Sequence, residues 1–212
     1  MSISDNFTHR LILIRHGISE GCIEGRFFGK TDTSLLADAK DQITEMSLKI
    51  SPWLEEFPSL KLYSSPLSRA TDTLQILIES LELSNENFFP EIIDEFSELN
   101  FGEWEGETSS SLMNKNPEFF SKHCENIVSS NPPNGESLND LWERVCPALD
   151  NLLFSAIGHT IVVVAHLAVN RIILCSILGI PISNFFYISQ NNASLNVIDF
   201  KGELPQVRLI NG

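Results

Sequence analysis

Two short apolar runs, widely separated in the chain, each end in a histidine. Residues 11–14 are followed by Arg15 and His16, and residues 160–165 are followed by His166. Apolar runs of this length that stop at turn residues are typical of buried strands. Because parallel strands of an α/β sheet present their carboxyl ends to the crevice where ligands bind, we expect both imidazoles at one edge of the same sheet. Taken alone, the first run is equally compatible with a strand end occupied by ordinary solvated side chains.

The pair of histidines raises the alternative of a metal site. No His-x-x-x-His or Cys-x-x-Cys spacing accompanies them, although such spacings are usual in zinc sites. Arg15 lies next to His16 and would repel a bound cation. We therefore predict a site for an anion, with no metal.

A second arginine follows a short predicted strand at residues 61–64. Ser65 and Pro66 have the residue types of an N-cap and a first helical position, which places Arg69 about one turn into the helix. The helix macrodipole disfavours a cation there, whereas a bound phosphate would reverse the sign of that effect. A solvated surface arginine is the alternative when Arg69 is taken alone.

The segment at residues 96–106 combines carboxylates with aromatic side chains and two glycines. Hydrolysis of a phosphate ester requires a proton for the departing oxygen, and a carboxyl group is a usual donor. Glu98, Glu103 and Glu105 are the candidates, and their spacing does not decide among them.

Together these segments resemble the histidine phosphatase superfamily, also called the phosphoglycerate mutase-like family, and within it the α-ribazole phosphatase branch. The resemblance extends from about residue 10 to the C-terminus, with all motifs in the family's order. The matching segments are residues 15–17, 18–20, 24–29, 64–70, 98–106, 135–138 and 162–166.

The resemblance implies a two-step phosphoryl transfer that needs no metal and no cofactor. His16 would attack phosphorus and hold the phosphoryl group covalently. Arg15, Arg69 and His166 would bind the equatorial oxygens of that group. Glu98 would protonate the leaving oxygen and then activate the hydrolytic water.

Three further positions are candidates for phosphate contact. Ser19 would add a hydroxyl to the site. Cys22 stands where family members commonly have asparagine, and a thiol is a weaker hydrogen-bond donor. Leu167 stands where members usually have glycine, so it would strain the backbone if a positive φ is required, or its side chain would crowd the pocket. In both cases its backbone N–H stays available to a phosphate.

The remaining pattern predicts an α/β fold, a three-layer sandwich with a mostly parallel central sheet and helices on both faces. Helical periodicity covers residues 35–50, 66–83, 137–157 and 168–178, and strands are expected at 195–200 and 206–210. Ser137 and Asp140 resemble a capping box, and Pro147 predicts a kink or a late start of its helix. Residues 1–212 are expected to form a single domain with a helical and loop excursion at about 108–135.

The formal net charge of −14 restricts the partners of the chain. Nucleic acid and anionic membranes would be repelled, whereas local arginines can bind a small-molecule phosphate ester. The four cysteines show no paired spacing, which favours a reducing compartment, and residues 1–8 lack the apolar core of a signal segment. We expect a cytoplasmic protein, and a homodimer is one open alternative for its assembly.

Other aromatic and titratable side chains are expected to have structural or solvated positions. Packing or helix-surface positions are predicted for Trp104, Trp142 and Arg171, and solvated positions for His9, His123 and His159.

Three functions are compatible with this sequence. The favoured one is a phosphomonoesterase that acts on a small phosphorylated metabolite through a phosphohistidine. The second is a phosphoglycerate mutase-type transfer, although family mutases usually have a longer and more basic insertion after the acid motif. The third is a catalytically weak phosphate-binding or scaffold protein, which Cys22 and Leu167 suggest and the complete set of five implied catalytic side chains opposes.

Overall fold

A six-stranded mixed sheet organises the residues that the computed structural model describes, which are 7–22, 25–54, 59–83 and 90–212. Its strands are, in chain order, His9–Arg15 (β1), Leu60–Ser64 (β2), Glu91–Ile92 (β3), Thr160–Ala165 (β4), Leu195–Lys201 (β5) and Leu204–Leu209 (β6). Across the sheet the order is β3-β2-β4-β1-β5-β6, with the first four strands parallel and β5 and β6 antiparallel to their neighbours. The predictions made for residues 1–6 and for Glu24 lie outside the described part of the chain.

Helices cover both faces of this sheet. They are Ala39–Leu54 (α1), Ser68–Ser80 (α2), Ser109–Lys115 (α3), Pro117–Glu125 (α4), Leu138–Phe154 (α5) and Leu167–Leu178 (α6). Since alternate strand residues point to opposite faces, Leu11 and Leu13 pack in a core with α5 and α6, whereas Ile12 and Ile14 pack with α1 and α2. The predicted α/β sandwich with a mostly parallel sheet is therefore confirmed. None of the helices in the described ranges is both long and apolar enough to span a membrane.

The register of β1 and β4 brings their carboxyl ends to one level. Arg15 pairs with Ala165, so the residues that follow them, His16 and His166, leave the sheet side by side. Ser65 follows the carboxyl end of the neighbouring strand β2 in the same way. Both histidines thus lie at the same edge of the sheet, as the two apolar runs predict.

Helix α1 begins later than predicted. Its first residue is Ala39 rather than residue 35. Leu35 instead forms an isolated antiparallel bridge with Ser19, and the N–H of Leu36 donates to the carbonyl of Ile18 at 3.0 Å. These bonds tie the segment before the helix to the chain that follows β1.

Helix α2 also begins later than predicted. Its N-cap is Leu67 rather than Ser65. The capping oxygens come from Asp32 in a distant loop, and they accept from the N–H of Ser68 at 3.0 Å. Ser65 uses its hydroxyl in the site described below. Arg69 is consequently the second residue of the helix and does not lie one turn inside it.

The ends of α5 and α6 agree with their capping signals. Ser137 Oγ accepts from the N–H of Asp140 at 3.2 Å, and Asp140 Oδ2 accepts from the N–H of Ser137 at 2.9 Å. This capping box starts α5 at its predicted place, and the helix runs through Pro147, so a late start is wrong. Helix α6 ends at Gly179, whose φ of 62° is in the left-handed region that favours glycine.

Two histidines that were expected in solvent are buried. His9 stacks on Phe200 with 4.6 Å between ring centroids, and His123 packs edge-on against Trp104 at 4.6 Å. Burial lowers the pKa of both imidazoles. Trp104 has the packing position predicted for it.

The excursion predicted at about 108–135 contains α3 and α4 followed by a loop. Asn116 separates the two helices, and its Oδ1 accepts from the N–H of Phe119 at 3.2 Å. Phe120 packs with Leu112 and Trp104 in a small separate core.

Candidate active site

A cavity of about 290 Å³ opens at the carboxyl edge of the sheet. Arg15, His16, Arg69 and Glu98 line it, four of the five side chains to which the family resemblance assigns catalysis. His166, the fifth, lies directly against His16, with 5.1 Å between the ring centroids. The three further candidates also line the cavity: Ser19, Cys22 and Leu167.

The neighbours of His16 determine its protonation state. Its Nδ1 lies 2.7 Å from the carbonyl oxygen of Gly17. Because a carbonyl only accepts, Nδ1 bears the proton of the neutral ring and Nε2 keeps a lone pair. Burial, the charge of Arg69 and the charge of Arg15 lower the pKa of His16 to about 3, against the opposing effect of the Gly17 carbonyl. The imidazole is therefore neutral at physiological pH.

His166 is fully buried and is the N-cap residue of α6. Its Nε2 lies 2.6 Å from Ser65 Oγ, whereas Nδ1 has no hydrogen-bond partner in the described structure. Burial is the main cause that lowers the pKa of His166 well below its usual range, and repulsion from His16 in its protonated form and from Arg69 acts in the same direction. A neutral ring with one unpaired buried nitrogen leaves a hydrogen bond that a ligand atom can complete.

Arg15 is held on one side by the chain that precedes β5. Its Nη1 donates to the carbonyl of Gln190 at 2.7 Å, and its Nη2 lies 3.8 Å from Cys22 Sγ. Gln190 is itself fixed, because it exchanges two hydrogen bonds of 2.8 Å with Asn196. The Nε of Arg15 is buried without a partner in the described structure. The guanidinium is thus oriented and retains donor capacity for an anion.

Arg69 is fixed by carbonyl groups of the loop that precedes α1. Its Nη2 donates to Gly29 O at 2.7 Å and its Nη1 to Thr31 O at 3.1 Å, while Asp32 lies 3.6 Å away as a counter-charge. A Cβ atom on Gly29 would lie 1.6 Å from the carbonyl of Leu99. Glycine is therefore required for this loop to approach the acidic segment and reach the guanidinium.

The three candidate glutamates occupy different positions. Glu98 is buried and lines the cavity. Glu105 instead supports the loop before α1, since its carboxylate accepts from the N–H of Gly29 at 2.9 Å. Glu103 accepts from Asn134 Nδ2 at 2.9 Å at an exposed position. Of the three, Glu98 is the one that can reach a ligand in the cavity.

Backbone donors orient the carboxyl group of Glu98. The N–H of Ala168 in α6 lies 3.2 Å from both carboxyl oxygens, and the N–H of Leu99 donates to Oε1 at 2.9 Å. Arg144 on α5 holds the same segment, because its Nη2 donates to the carbonyl of Glu98 at 3.1 Å. Its Nε is paired with Glu136 Oε1 at 2.9 Å. The acidic segment is thereby fixed against the N-terminus of α6.

Ser19 and Cys22 line the cavity beside Arg15 and contact each other. Ser19 Oγ lies 3.5 Å from Cys22 Sγ and accepts from Thr33 Oγ1 at 3.4 Å, and Asn192 Nδ2 donates to Cys22 Sγ at 3.3 Å. Burial by itself raises the pKa of the Cys22 thiol. The hydrogen bonds of Ser19 and Asn192 and the charge of Arg15 outweigh burial, so the net shift of that pKa is downward.

Leu167 does not strain the backbone. It is the first residue of α6 and is not among the described residues with positive φ. His166 leads into the helix in an extended conformation, with φ −128° and ψ 174°, so no left-handed residue is needed after it. The alternative of backbone strain is therefore wrong, and the half-buried side chain of Leu167 occupies the cavity wall.

The charges that line the cavity suit an anion. Four arginines and one glutamate are among its described lining residues. Among all described residues, no group of three or more histidine, cysteine, aspartate or glutamate side chains is arranged to hold a metal ion. Guanidinium groups are donors that phosphate oxygens prefer.

Comparison with known proteins agrees with this geometry. Residues 11–212 match the model of the histidine phosphatase superfamily (branch 1). The chain belongs to this superfamily. A relative within it, phosphoserine phosphatase 1 of Hydrogenobacter thermophilus, is 32% identical over 189 residues, which cover 89% of this chain and 85% of the relative.

Two α-ribazole phosphatases of the superfamily are also similar. The adenosylcobalamin/alpha-ribazole phosphatase of Escherichia coli K12 is 25% identical over 202 residues, which cover 95% of each chain. The crystal structure of the alpha-ribazole phosphatase from Shigella flexneri matches with a TM-score of 0.82 at 25% identity and covers 96% of each chain. The predicted superfamily is confirmed, and with it the class of phosphatases, and the likeness to α-ribazole phosphatases agrees with the predicted branch.

The site of this histidine phosphatase also contains residues that the sequence did not reveal. Arg171, for which a packing or helix-surface position was expected, lines the cavity. It follows Leu167 by four residues on α6, so helical spacing could have placed it on the same face. Ser65, Gln190 and Asn192 fix the polar groups of the site. They lie in connecting segments, and no spacing signal identified these roles.

Proposed function

We propose that this chain hydrolyses the phosphate ester of a small metabolite through a phosphohistidine at His16, without a metal ion. The observation that supports this most directly is the state of His16. Its ring is neutral, and Gly17 O accepts the Nδ1 proton, which leaves Nε2 as a nucleophile. Arg15 and Arg69 line the same cavity and supply positive charge for the phosphoryl oxygens.

In the first step, Nε2 of the nucleophile bonds to phosphorus while the bond from phosphorus to the ester oxygen breaks. Arg15 and Arg69 bind equatorial oxygens as negative charge develops on them. In this step the hydroxyl of Ser65 donates a hydrogen bond to Nε2 of His166, so the proton of that neutral ring is on Nδ1. The buried Nδ1–H, which has no partner among the described residues, then donates to a third phosphoryl oxygen. Glu98, which lines the same cavity, gives a proton to the leaving oxygen.

In the second step, water replaces the departed alcohol. The carboxylate of Glu98 takes a proton from this water, whose oxygen bonds to phosphorus as the bond to Nε2 of His16 breaks. Inorganic phosphate leaves, and both side chains return to their starting protonation states. Two displacements on one phosphorus replace a single difficult one.

The proposal includes a cytoplasmic location and a single catalytic domain. All four cysteines are free, which is the state expected in a reducing compartment. Strands from both ends of the described chain, β1 and β6, belong to one sheet, and this supports a single domain.

Turnover of p-nitrophenyl phosphate tests the proposed reaction. The purified protein is expected to release p-nitrophenol at the same rate with and without EDTA, because arginine and histidine donors stabilise the transition state. Release is followed by absorbance, and a His16→Ala preparation purified in parallel corrects for contaminating phosphatases. Absence of turnover would contradict the proposal and favour a phosphate-binding scaffold. Activity that EDTA removes and a divalent cation restores would contradict metal independence.

The position of Leu167 leads to a prediction about substrate size. Leu167→Ala is expected to raise kcat/KM for 1-naphthyl phosphate by about threefold relative to p-nitrophenyl phosphate, because the shorter side chain widens the cavity wall. Steady-state kinetics with both esters measure the ratio. Leu48→Ala is the matched control, since Leu48 is 74% exposed on α1 and does not line the cavity. An equal change for both esters would show that Leu167 does not limit substrate size.

A further inference from the structure

Aromatic side chains form much of the cavity wall away from the phosphoryl-binding groups. Phe27 and Phe101 contact each other with 5.0 Å between ring centroids, and Trp104 supports Phe27 at 6.3 Å. Phe185 and Phe186 form an edge-on pair at 5.1 Å. Surfaces of this kind favour a flat, apolar substrate body.

Arg171 places a positive charge against this aromatic wall. The guanidinium of Arg171 lies over the rings of Phe185 and Phe186, at 5.1 and 5.6 Å from their centroids. Its Nε donates to the carbonyl of Ile188 at 2.7 Å. These contacts fix the orientation of the side chain, while its terminal amino groups make no hydrogen bond to the described residues. A cavity-lining guanidinium with unused donors is suited to a ligand oxygen.

The charges around Arg171 also favour an anion. Burial and the nearby Arg15 lower the pKa of Arg171, and Glu98 opposes this shift. In the proposed reaction, Arg15 binds the phosphoryl group and Glu98 serves the leaving oxygen. The donors of Arg171 are then left for a second negative group on the same substrate.

We propose that Arg171 determines specificity by binding an anionic group at the far end of an apolar substrate body. The substrate class is a phosphate monoester whose aromatic or aliphatic body separates the ester oxygen from a carboxylate or similar anion. This inference rests on the proposed phosphatase function and specifies the part of the substrate that carries the phosphate ester. An ammonium group at the same position would be repelled. Phosphoserine bears a carboxylate and an ammonium group on one carbon and has no apolar body, so it is expected to be a poorer substrate than an ester whose apolar body carries a carboxylate alone.

Three phenyl phosphates that differ only in the para substituent provide the test. The substituents are a carboxylate, a carboxamide of similar size and a cationic aminomethyl group. The wild-type protein is expected to prefer the carboxylate over the carboxamide by about tenfold in kcat/KM, chiefly through KM, and the aminomethyl ester is expected to be the poorest.

Variants of Arg171 separate this charge effect from differences in leaving-group chemistry. Arg171→Met is expected to reduce the ratio of kcat/KM for the carboxylate ester over the carboxamide ester to about one. Arg171→Lys is expected to retain part of this preference. Lys122→Met is the matched control, because it removes a positive charge from a side chain that is 70% exposed on α4. That variant is expected to keep the full preference.

Two outcomes would overturn the proposal. The first is an unchanged preference in Arg171→Met, and the second is an equal loss with all three esters, which loss of the Ile188 contact alone would cause. If the wild-type protein hydrolyses no ester, the proposed function fails, and calorimetry with 4-carboxybenzylphosphonate and its carboxamide tests Arg171 without turnover. Tighter binding of the carboxylate that is lost in Arg171→Met would support the proposal, and equal binding would overturn it.

Discussion

Replacement of His16 by alanine is expected to lower kcat/KM for p-nitrophenyl phosphate by about four orders of magnitude or more. The variant loses the nitrogen that forms the covalent bond to phosphorus, whereas Arg15 and Arg69 still bind the phosphoryl oxygens. Phosphate binding measured by calorimetry is therefore expected to persist while turnover is lost. Initial rates over a wide range of enzyme concentration give the residual activity.

His9→Gln is the matched control for this variant. His9 is also a buried histidine of low pKa, but it lies at the opposite end of β1 and does not line the cavity. The His9→Gln variant is expected to retain turnover within about threefold of the wild type when its fold is intact by circular dichroism. Residual activity of about one tenth or more in His16→Ala would show that another group attacks phosphorus.

Replacement of Glu98 by glutamine is expected to have the second largest effect, and its size depends on the leaving group. An amide of the same shape can accept the backbone hydrogen bonds but has no acidic proton to give. Loss of a general acid is expected to lower the rate of hydrolysis of an alkyl ester such as β-glycerol phosphate by about two to three orders of magnitude. The loss is expected to be much smaller for p-nitrophenyl phosphate, because p-nitrophenolate departs without a proton.

Glu103→Gln is the control for the Glu98 variant. Glu103 belongs to the same acidic segment but bonds to Asn134 at an exposed position, outside the cavity. Its variant is expected to hydrolyse both esters at nearly the wild-type rate. Equal losses with the alkyl and the aryl ester in Glu98→Gln would contradict an acid role for Glu98.

The convergence of the two histidines was predictable because it depends on local pattern. Each histidine follows an apolar run that forms a buried strand, and parallel strands that share a sheet end at the same edge. The register of Arg15 with Ala165 adds the detail that the two rings emerge at one level. Sheet class and this part of the site therefore follow from short-range sequence signals.

The start of α2 was not predictable from its own residues. Ser65 has the residue type of an N-cap, but its hydroxyl bonds to His166, which is remote in sequence. Asp32, from another loop, accepts from Ser68 instead. Capping rules compare local partners only, whereas here tertiary partners displaced them.

The choice among the glutamates was open for a similar reason. Glu98 and Glu105 are both buried or half-buried carboxylates of one short segment, and their roles differ because different chain segments pack against them. The place of Arg171 in the cavity wall was not predictable because α6 is apolar on most sides, so its periodicity does not separate the face toward the cavity from the others. In both cases the decisive information is which surfaces meet in three dimensions.

Identification of the phosphorylated residue tests the central claim most directly. The wild-type protein is mixed with excess substrate, quenched in base to preserve acid-labile phosphohistidine, digested and analysed by mass spectrometry. We predict one phosphoryl group on His16, which disappears in His16→Ala. A phosphoryl group on His166, or none on any residue while turnover continues, would contradict the account.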